Sequence, residues 1–196
     1  MTIEDRLNQQ QYMIRKKIFK IFGEAFHIYD FRGTVLFYSK LKAFKLKEDI
    51  RLYTGEDMTT EVLTIKARKM IDLWSTYDVY DSQTQRKVGT FRRKGLKSIL
   101  KDEWIIMDDN DREIGLVQED SMMMALLRRF LTNLIPQQFS GSIGGQAVLH
   151  FKRHFNPFVL RMDLNFSMDT AGLLDRRMGL AAGILISAIE GRQSEM

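Results

Sequence analysis

Three histidines, a run of aspartates, a glycine-rich stretch and several groups of lysine and arginine are the residues of this 196-residue chain whose types could do chemistry. His150 and His154 stand four apart, a spacing that on a helix would set two metal ligands on one face. They lie in "QAVLHFKRH", which reads as a strand or its exit, and along a strand four residues span roughly 13 Å. No third ligand stands near them and the chain has no cysteine. The histidines, His27 included, are therefore expected to be structural, with no metal or cofactor. "DDNDRE", 108–113, packs acidic groups as calcium loops do, but the next strand pattern begins after four or five residues. It is expected to be a hairpin turn rather than a twelve-residue calcium loop. "GSIGG" lacks the Lys-Ser/Thr of a phosphate loop, and no helix pattern follows it. No nucleophile signature such as G-x-S-x-G occurs. Without cysteine there is neither thiolate catalysis nor a disulfide framework. These residues point away from an enzyme.

Positive charge is the remaining signal. Residues 1–100 carry 20 Lys/Arg against 12 Asp/Glu, and residues 101–196 carry 10 against 13. A basic half favours an anionic partner such as a membrane surface or a nucleic acid. The aromatic interleaving of single-strand binders is not distinctive here, so nucleic acid is the weaker of the two. The basic positions group as Lys16, Lys17 and Lys20; as Lys42, Lys45 and Lys47; and, most densely, as Arg92, Arg93, Lys94 and Lys97. The last two groups are the candidate anion-binding residues, although lysines on exposed strands also serve to prevent edge-to-edge pairing. A second candidate is "SMMMALLRRFLTNLIP", 121–136. Its apolar Met123, Leu126, Leu127, Phe130, Leu131 and Leu134 follow helical spacing, between a Ser121 N-cap and Pro136. Met122, Met123 and Met124 suit an adaptable apolar face, and Arg128 and Arg129 sit beside it. This helix either contacts a membrane or protein partner, or lies on the fold and caps one end.

These groups must be positioned by short strands. Four stretches resemble one another: "FHIYDFRGTVLFYSK", "IRLYTGEDMTTEVLTIK", "YDVYDSQTQRKVGTFRR" and "WIIMDDNDREIGLVQE". Each is a short apolar-rich strand, a polar turn and a second strand, with turn residues that tolerate positive φ or bond their own backbone. Val35, Val62, Val88 and Ile114 recur at intervals of 27, 26 and 26 residues. A further apolar element precedes each hairpin, so each unit is expected to hold about three strands. Phe158, Leu160, Met162, Leu164 and Phe166 alternate with Val159, Arg161, Asp163 and Asn165, the period of a strand with one buried face. "QQFSGSIGGQ" reads as a flexible loop. A dozen strands or more argue for an all-β sandwich, barrel or propeller.

"LDRRMGLAAGILISAIEG", from Leu174 to Gly191, closes the chain. Its twelve nearly all-apolar residues, Met178 to Ile189, are too few for a membrane span, and the charges before them are costly in lipid. Met178, Leu180, Ala181, Ile184, Leu185, Ile186 and Ile189 cover nearly every side. A helix apolar all round requires burial all round, which in a β protein a closed barrel provides. The expectation is one domain, 1–196, with a helix-and-loop insertion at about 121–145 and a buried central helix at about 170–190.

Together these residues resemble the tubby C-terminal-like superfamily, in which a barrel of about twelve strands wraps a hydrophobic C-terminal helix. "YMIRKKIFKIFGEAFHIYDFRGTVLFYSK" and "LLDRRMGLAAGILISAIEG" are most similar to the LURP-one-related proteins. The resemblance spans roughly residues 11–120 and 146–191. It implies a closed antiparallel barrel and a non-enzymatic binding or scaffold module. Tubby domains bind phosphoinositides through basic barrel residues, so the resemblance also implies anionic lipid as a ligand. A phospholipid scramblase-like role is the alternative, and the absence of a terminal membrane segment after Gly191 weighs against it. The protein is expected to be cytoplasmic, at most peripheral to a membrane, with an anionic surface or a protein as partner.

Overall fold

The computed structural model describes residues 1–19, 23–41, 49–68, 76–94, 103–120, 137–154 and 159–193. After a short helix α1 (Ile3–Leu7), twelve strands follow: β1 (Gln11–Phe19), β2 (Gly23–Tyr29), β3 (Val35–Leu41), β4 (Ile50–Tyr53), β5 (Glu61–Ala67), β6 (Thr76–Asp81), β7 (Lys87–Arg93), β8 (Glu103–Met107), β9 (Glu113–Glu119), β10 (Gln138–Ile143), β11 (Gln146–His154) and β12 (Leu160–Asn165). The chain then enters helix α2 (Arg176–Gln193). Each strand pairs antiparallel with the next, and β12 closes on β1 to complete a barrel without edges. Closure leaves no row of unpaired backbone groups open to another chain.

The inner wall follows from alternation. Ile14 and Phe26, Leu52 and Leu63, Phe91 and Ile106, and Phe151 and Leu164 all face inward and are buried. They surround α2, which touches β1 and β12 on one side and β6 and β7 on the other. Every side of the helix is covered: Leu180, Ala181, Ile184, Leu185, Ile186 and Ala188 are each at most 1% exposed. The helix therefore fills the barrel as its core, and among the described residues no helix is long and apolar enough to cross a membrane. It fits because two glycines allow close approach. A Cβ on Gly179 would lie 2.3 Å from the Phe166 ring, and one on Gly89 of β7 would lie 2.7 Å from Met178.

One expectation changes. Residues 137–146 are not a loop: Gln138–Ile143 forms β10, paired with both β9 and β11. Its buried Phe139 and Gly141 alternate with the less buried Ser140 and Ser142. Gly141 lets Val117 and Leu149 approach, and that requirement, rather than flexibility, explains the glycine. The described strands fall in hairpins, and the apolar element before the first hairpin is itself part of a strand. The "KKIF" element lies inside β1, and most of the other three apolar elements falls outside the described residues. The expected helix at 121–136 lies outside them as well.

Gly179 and Gly183 of the helix should respond differently to alanine. Helix propensity alone favours Gly→Ala by about 1 kcal/mol. At Gly183 the new methyl meets only the flexible ends of Ile14 and Leu164, at 2.7 and 2.9 Å. At Gly179 it meets a buried ring held edge-on by Tyr12 and covered by Arg176. Overpacking there should outweigh propensity and cost about 1–3 kcal/mol. Urea denaturation should place Gly179→Ala well below the wild type and Gly183→Ala close to it.

Candidate anion-binding site

Connections at the two rims differ in charge, and turn chemistry explains one of them. The tight turns of residues 30–34, 54–60, 82–86, 108–112 and 144–145, with the 166–175 segment, lie at one rim. They hold eight Asp/Glu and three Lys/Arg. Most of these acids are part of the backbone geometry. Asp30 accepts the N–H groups of Arg32 and Thr34, Asp108 those of Asn110 and Arg112, and Asp169 those of Leu173 and Leu174. Each carboxylate fixes its turn by satisfying local donors. The 108–113 run is a hairpin turn, as expected.

The same rim locks α2 in place. Arg177 bonds Asp175 and reaches Asp81 at the end of β6. Arg176 bonds Asp169 at 3.3 Å and lies 4.4 Å over the Phe166 ring. At this rim α1 is tied down too, by Arg6, which donates to the carbonyls of Leu36 and Thr54. Tyr12 donates to the Leu7 carbonyl, and burial pushes its hydroxyl up to about 12.

Most outward cations on β4 to β9 have partners of their own. Arg51 pairs with Glu61, Arg92 with Glu113, and Lys94 with Glu103. Lys66 lies over the Tyr80 ring. Arg68 bonds Asp78 at 2.6 Å and also Asp111, which Lys87 holds at 2.6 Å. Hydrogen bonds from Lys87, and then from Arg68 and Thr90, hold the Asp111 carboxyl well below the usual carboxylate range. This network straps the 108–112 turn onto β6 and β7.

The sequence candidates divide accordingly. Arg92 reaches Glu113 two strands away on β9 and Lys94 reaches Glu103 on the neighbouring β8, while Arg93 lies opposite Trp104 on the inward-facing register, 5.9 Å from its ring. Lys97, Lys42, Lys45, Lys47, Met122, Met123, Met124, Arg128 and Arg129 lie outside the described residues. The strand ends that flank these stretches, however, all stand at the rim opposite the acidic turns.

The histidines are engaged within the fold. His27 is buried on the outer wall, bonds Glu56 at 2.6 Å and packs against Tyr29 and Tyr38. His150 faces Asp120 at 3.4 Å, and His154 bonds Asp163 at 2.6 Å. Among the described residues no group of three or more ligands could hold a metal ion. Lys16, although adjacent to Lys17 in the basic group, points into the barrel, fully buried against Glu24 at 2.7 Å. Its place between Ile14 and Ile18 in the alternation carried that signal.

A family model described as LURP-one-related matches residues 35–186, from the start of β3 into α2. No curated protein matches. Among solved structures, an X-ray structure of a protein from Arabidopsis thaliana is similar, with a TM-score of 0.51 and 12% identity over 98% of each chain. At that identity the likeness concerns the fold alone.

The Arg177 anchor yields a pH test. Burial alone would raise the Asp81 carboxyl, but the Thr84 N–H and Arg177 outweigh it and hold it below the usual range. A carboxyl depressed in the folded state adds stability above its unfolded pKa and loses it as pH falls through the folded value. Arg177→Met should cost about 1–3 kcal/mol at neutral pH. The gap from wild type should close as pH drops below about 4, the ordinary carboxylate value. Urea denaturation across that range reads both.

Proposed function

The chain belongs to the LURP-one-related family, and from that we propose that it is a non-enzymatic binding module that docks on anionic membrane surfaces by one end of its barrel. The observation that carries this reading is the charge polarity of the two rims. The tight-turn rim is acidic. The six connections leaving the other rim, from each odd strand to the next even one, hold eleven Lys/Arg against five Asp/Glu in the sequence. They are also rich in apolar and aromatic residues, among them Phe22, Phe44, Trp74 and Phe130. Basic groups beside apolar ones are the composition that adsorbs to anionic lipid, through attraction to the headgroups and shallow apolar insertion.

In this reading Lys42, Lys45, Lys47 and Lys97 supply most of the attraction, with Arg92, Arg93 and Lys94 at the end of β7 beside them. Met122, Met123, Met124, Arg128 and Arg129 form the apolar–basic contact. An acidic far rim, repelled by the same headgroups, orients the barrel end-on. The compartment that suits this reading is the cytoplasmic face of a membrane.

Flotation with phosphatidylcholine vesicles, with and without phosphatidylserine, tests it. Wild type should float only with the anionic lipid and less as salt is raised. The Lys42→Glu, Lys45→Glu, Lys47→Glu, Lys97→Glu variant should stay behind. Equal flotation on neutral vesicles, or an unaffected variant, would overturn the reading.

A further inference from the structure

At the tight-turn rim the turns account for the acids but not for the apolar side chains. Apart from Met1, the large apolar residues that stand exposed among the described residues are Phe31, Val35, Met58, Ile114, Met168 and Leu173. All six lie in this rim's connections or within two residues of them, and none lies farther along the outer wall. The turns do not need them. In the first, the Gly33 N–H closes on the Asp30 carbonyl, and the Asp30 carboxylate takes the N–H groups of Arg32 and Thr34. The Phe31 side chain has no part in this and is 72% exposed, with Arg32 lying 5.2 Å over its ring. At Met58 the backbone disfavours the residue. Its φ is +52°, in the left-handed region where glycine or asparagine sits with less strain than a long side chain. Methionine stands there nonetheless, 43% exposed.

Strand order brings most of these residues into one arc. The sequence β12, β1, β2, β3, β4, β5 around the barrel sets the 166–175 segment, α1, the 30–34 turn and the 54–60 turn side by side. Hydrogen bonds join them into one ledge. The Phe166 N–H donates to the Gln10 carbonyl at 2.8 Å, Arg6 ties α1 to Leu36 and Thr54, and Glu56 holds His27. The ledge carries Met168, Leu173, Phe31 and Met58 and runs over four to five strand spacings, about 20 Å. Ile114, on β9, stands apart from it. The exposed charges of the arc are mostly negative: Glu4, Asp5, Glu56 and Asp57 against Arg32, while Arg6 is taken up by carbonyls. Among the described residues Glu4, Asp5 and Asp57 form no ion pair, and Glu56 meets His27. Elsewhere on the rim, by contrast, Asp108 is held by Arg112, and Asp111 by Arg68 and Lys87.

We propose that this arc, from the 166–175 segment past α1 to the 54–60 turn, is a docking surface for a basic amphipathic helix of a partner protein. Phe31, Met58, Met168 and Leu173 take its apolar face, and the two methionines adapt to its shape. Glu4, Asp5, Glu56 and Asp57 meet the lysines or arginines that flank that face. The backbone decides that the partner is a helix. The closed barrel has no free edge, and the turn aspartates already hold their local N–H groups. The ledge offers side chains and no row of backbone groups to an extended strand, so the partner segment must satisfy its own backbone. About four turns of helix cover the arc. Anionic lipid headgroups are repelled by the same acids. The surface shares no residue with the basic rim and does not rest on the membrane reading.

Fluorescence anisotropy on the full chain tests the surface. The probe is a labelled peptide of leucine and lysine in amphipathic helical order, about 18 residues long. One control peptide has the same residues in scrambled order, and another has glutamate in place of lysine. Four variants separate the possibilities: Phe31→Ser with Met58→Asn, Met168→Ser with Leu173→Ser, Glu4→Gln with Asp57→Asn, and Ile114→Ser. Circular dichroism melts establish that each is folded. Met58→Asn alone should melt no lower than wild type, since asparagine tolerates the left-handed region, and should still bind the probe less tightly. A lower melt would make Met58 a packing residue and remove it from the surface.

Wild type should bind the ordered leucine–lysine peptide at least tenfold more tightly than either control. Each apolar pair should lose at least tenfold. The acid pair should lose less and respond more weakly to salt, and Ile114→Ser should match wild type. Absence of binding, equal binding of the scrambled peptide, or equal loss at Ile114 would overturn the surface. Flotation on phosphatidylserine vesicles should be the same in the apolar pairs as in wild type. Flotation lost in those pairs but kept in the four-lysine variant would make the arc a lipid contact and overturn the proposal. Peptide binding that depends on Phe31 and Met58, with no flotation by wild type, supports this surface and removes the membrane reading.

Discussion

A helix that is apolar on every side has to be covered on every side, and this requirement organises the molecule. Open sheets cover one face of a helix. A closed barrel covers all of them, and here the inner positions of β1, β6, β7 and β12 meet around α2. The fit is close enough to exclude a side chain at Gly179 and at Gly89. Helix and wall thus form a single core, and neither retains its apolar burial without the other. Closure also joins β1 to β12, the first strand to the last, so no sheet edge is left for a partner. Recognition is confined to the outer wall and the two rims.

The rims acquired opposite characters for different physical reasons. At the tight-turn rim, aspartates are there because turns need acceptors for their own N–H groups, as at Asp30, Asp108 and Asp169. The same end must hold the start of α2, which Arg177 and Arg176 do by bonding Asp81, Asp175 and Asp169. Its acidity is a consequence of folding. The connections of the other rim carry no such tight-turn signature in sequence and are richer in lysine and apolar residues. The outer wall divides in a similar way: from β4 to β9 most strand cations have partners close by, and from β11 to β3 most have none among the described residues.

Local pattern made the hairpins legible in the sequence. Turn residues and the recurrence of Val35, Val62, Val88 and Ile114 mark β3, β5, β7 and β9 within a residue of their starts. The length and all-round apolarity of Met178–Ile189 identified the buried helix. What depended on pairing was hidden. Arg92, Arg93 and Lys94 form the densest basic run, but the sequence does not reveal that Glu113 and Glu103 pair with two of them or that the third takes the inward register. Arg15 and Arg161 are far apart in the chain and meet only because β12 closes on β1. β10 is hidden because Gly141 and the two turn glycines after it resemble a loop, when Gly141 serves packing.

Native-state hydrogen exchange tests most directly whether α2 is the core of the barrel rather than an appended helix. An element that opens only when the whole domain unfolds exchanges with the global unfolding free energy. The amides of Leu180 to Ser187 should therefore be as protected as those of the central residues of β1 and β12, and should follow the same dependence on urea. Exchange of the helix at a lower free energy, while the strands stay protected, would show that it leaves the barrel without unfolding it and would contradict this account.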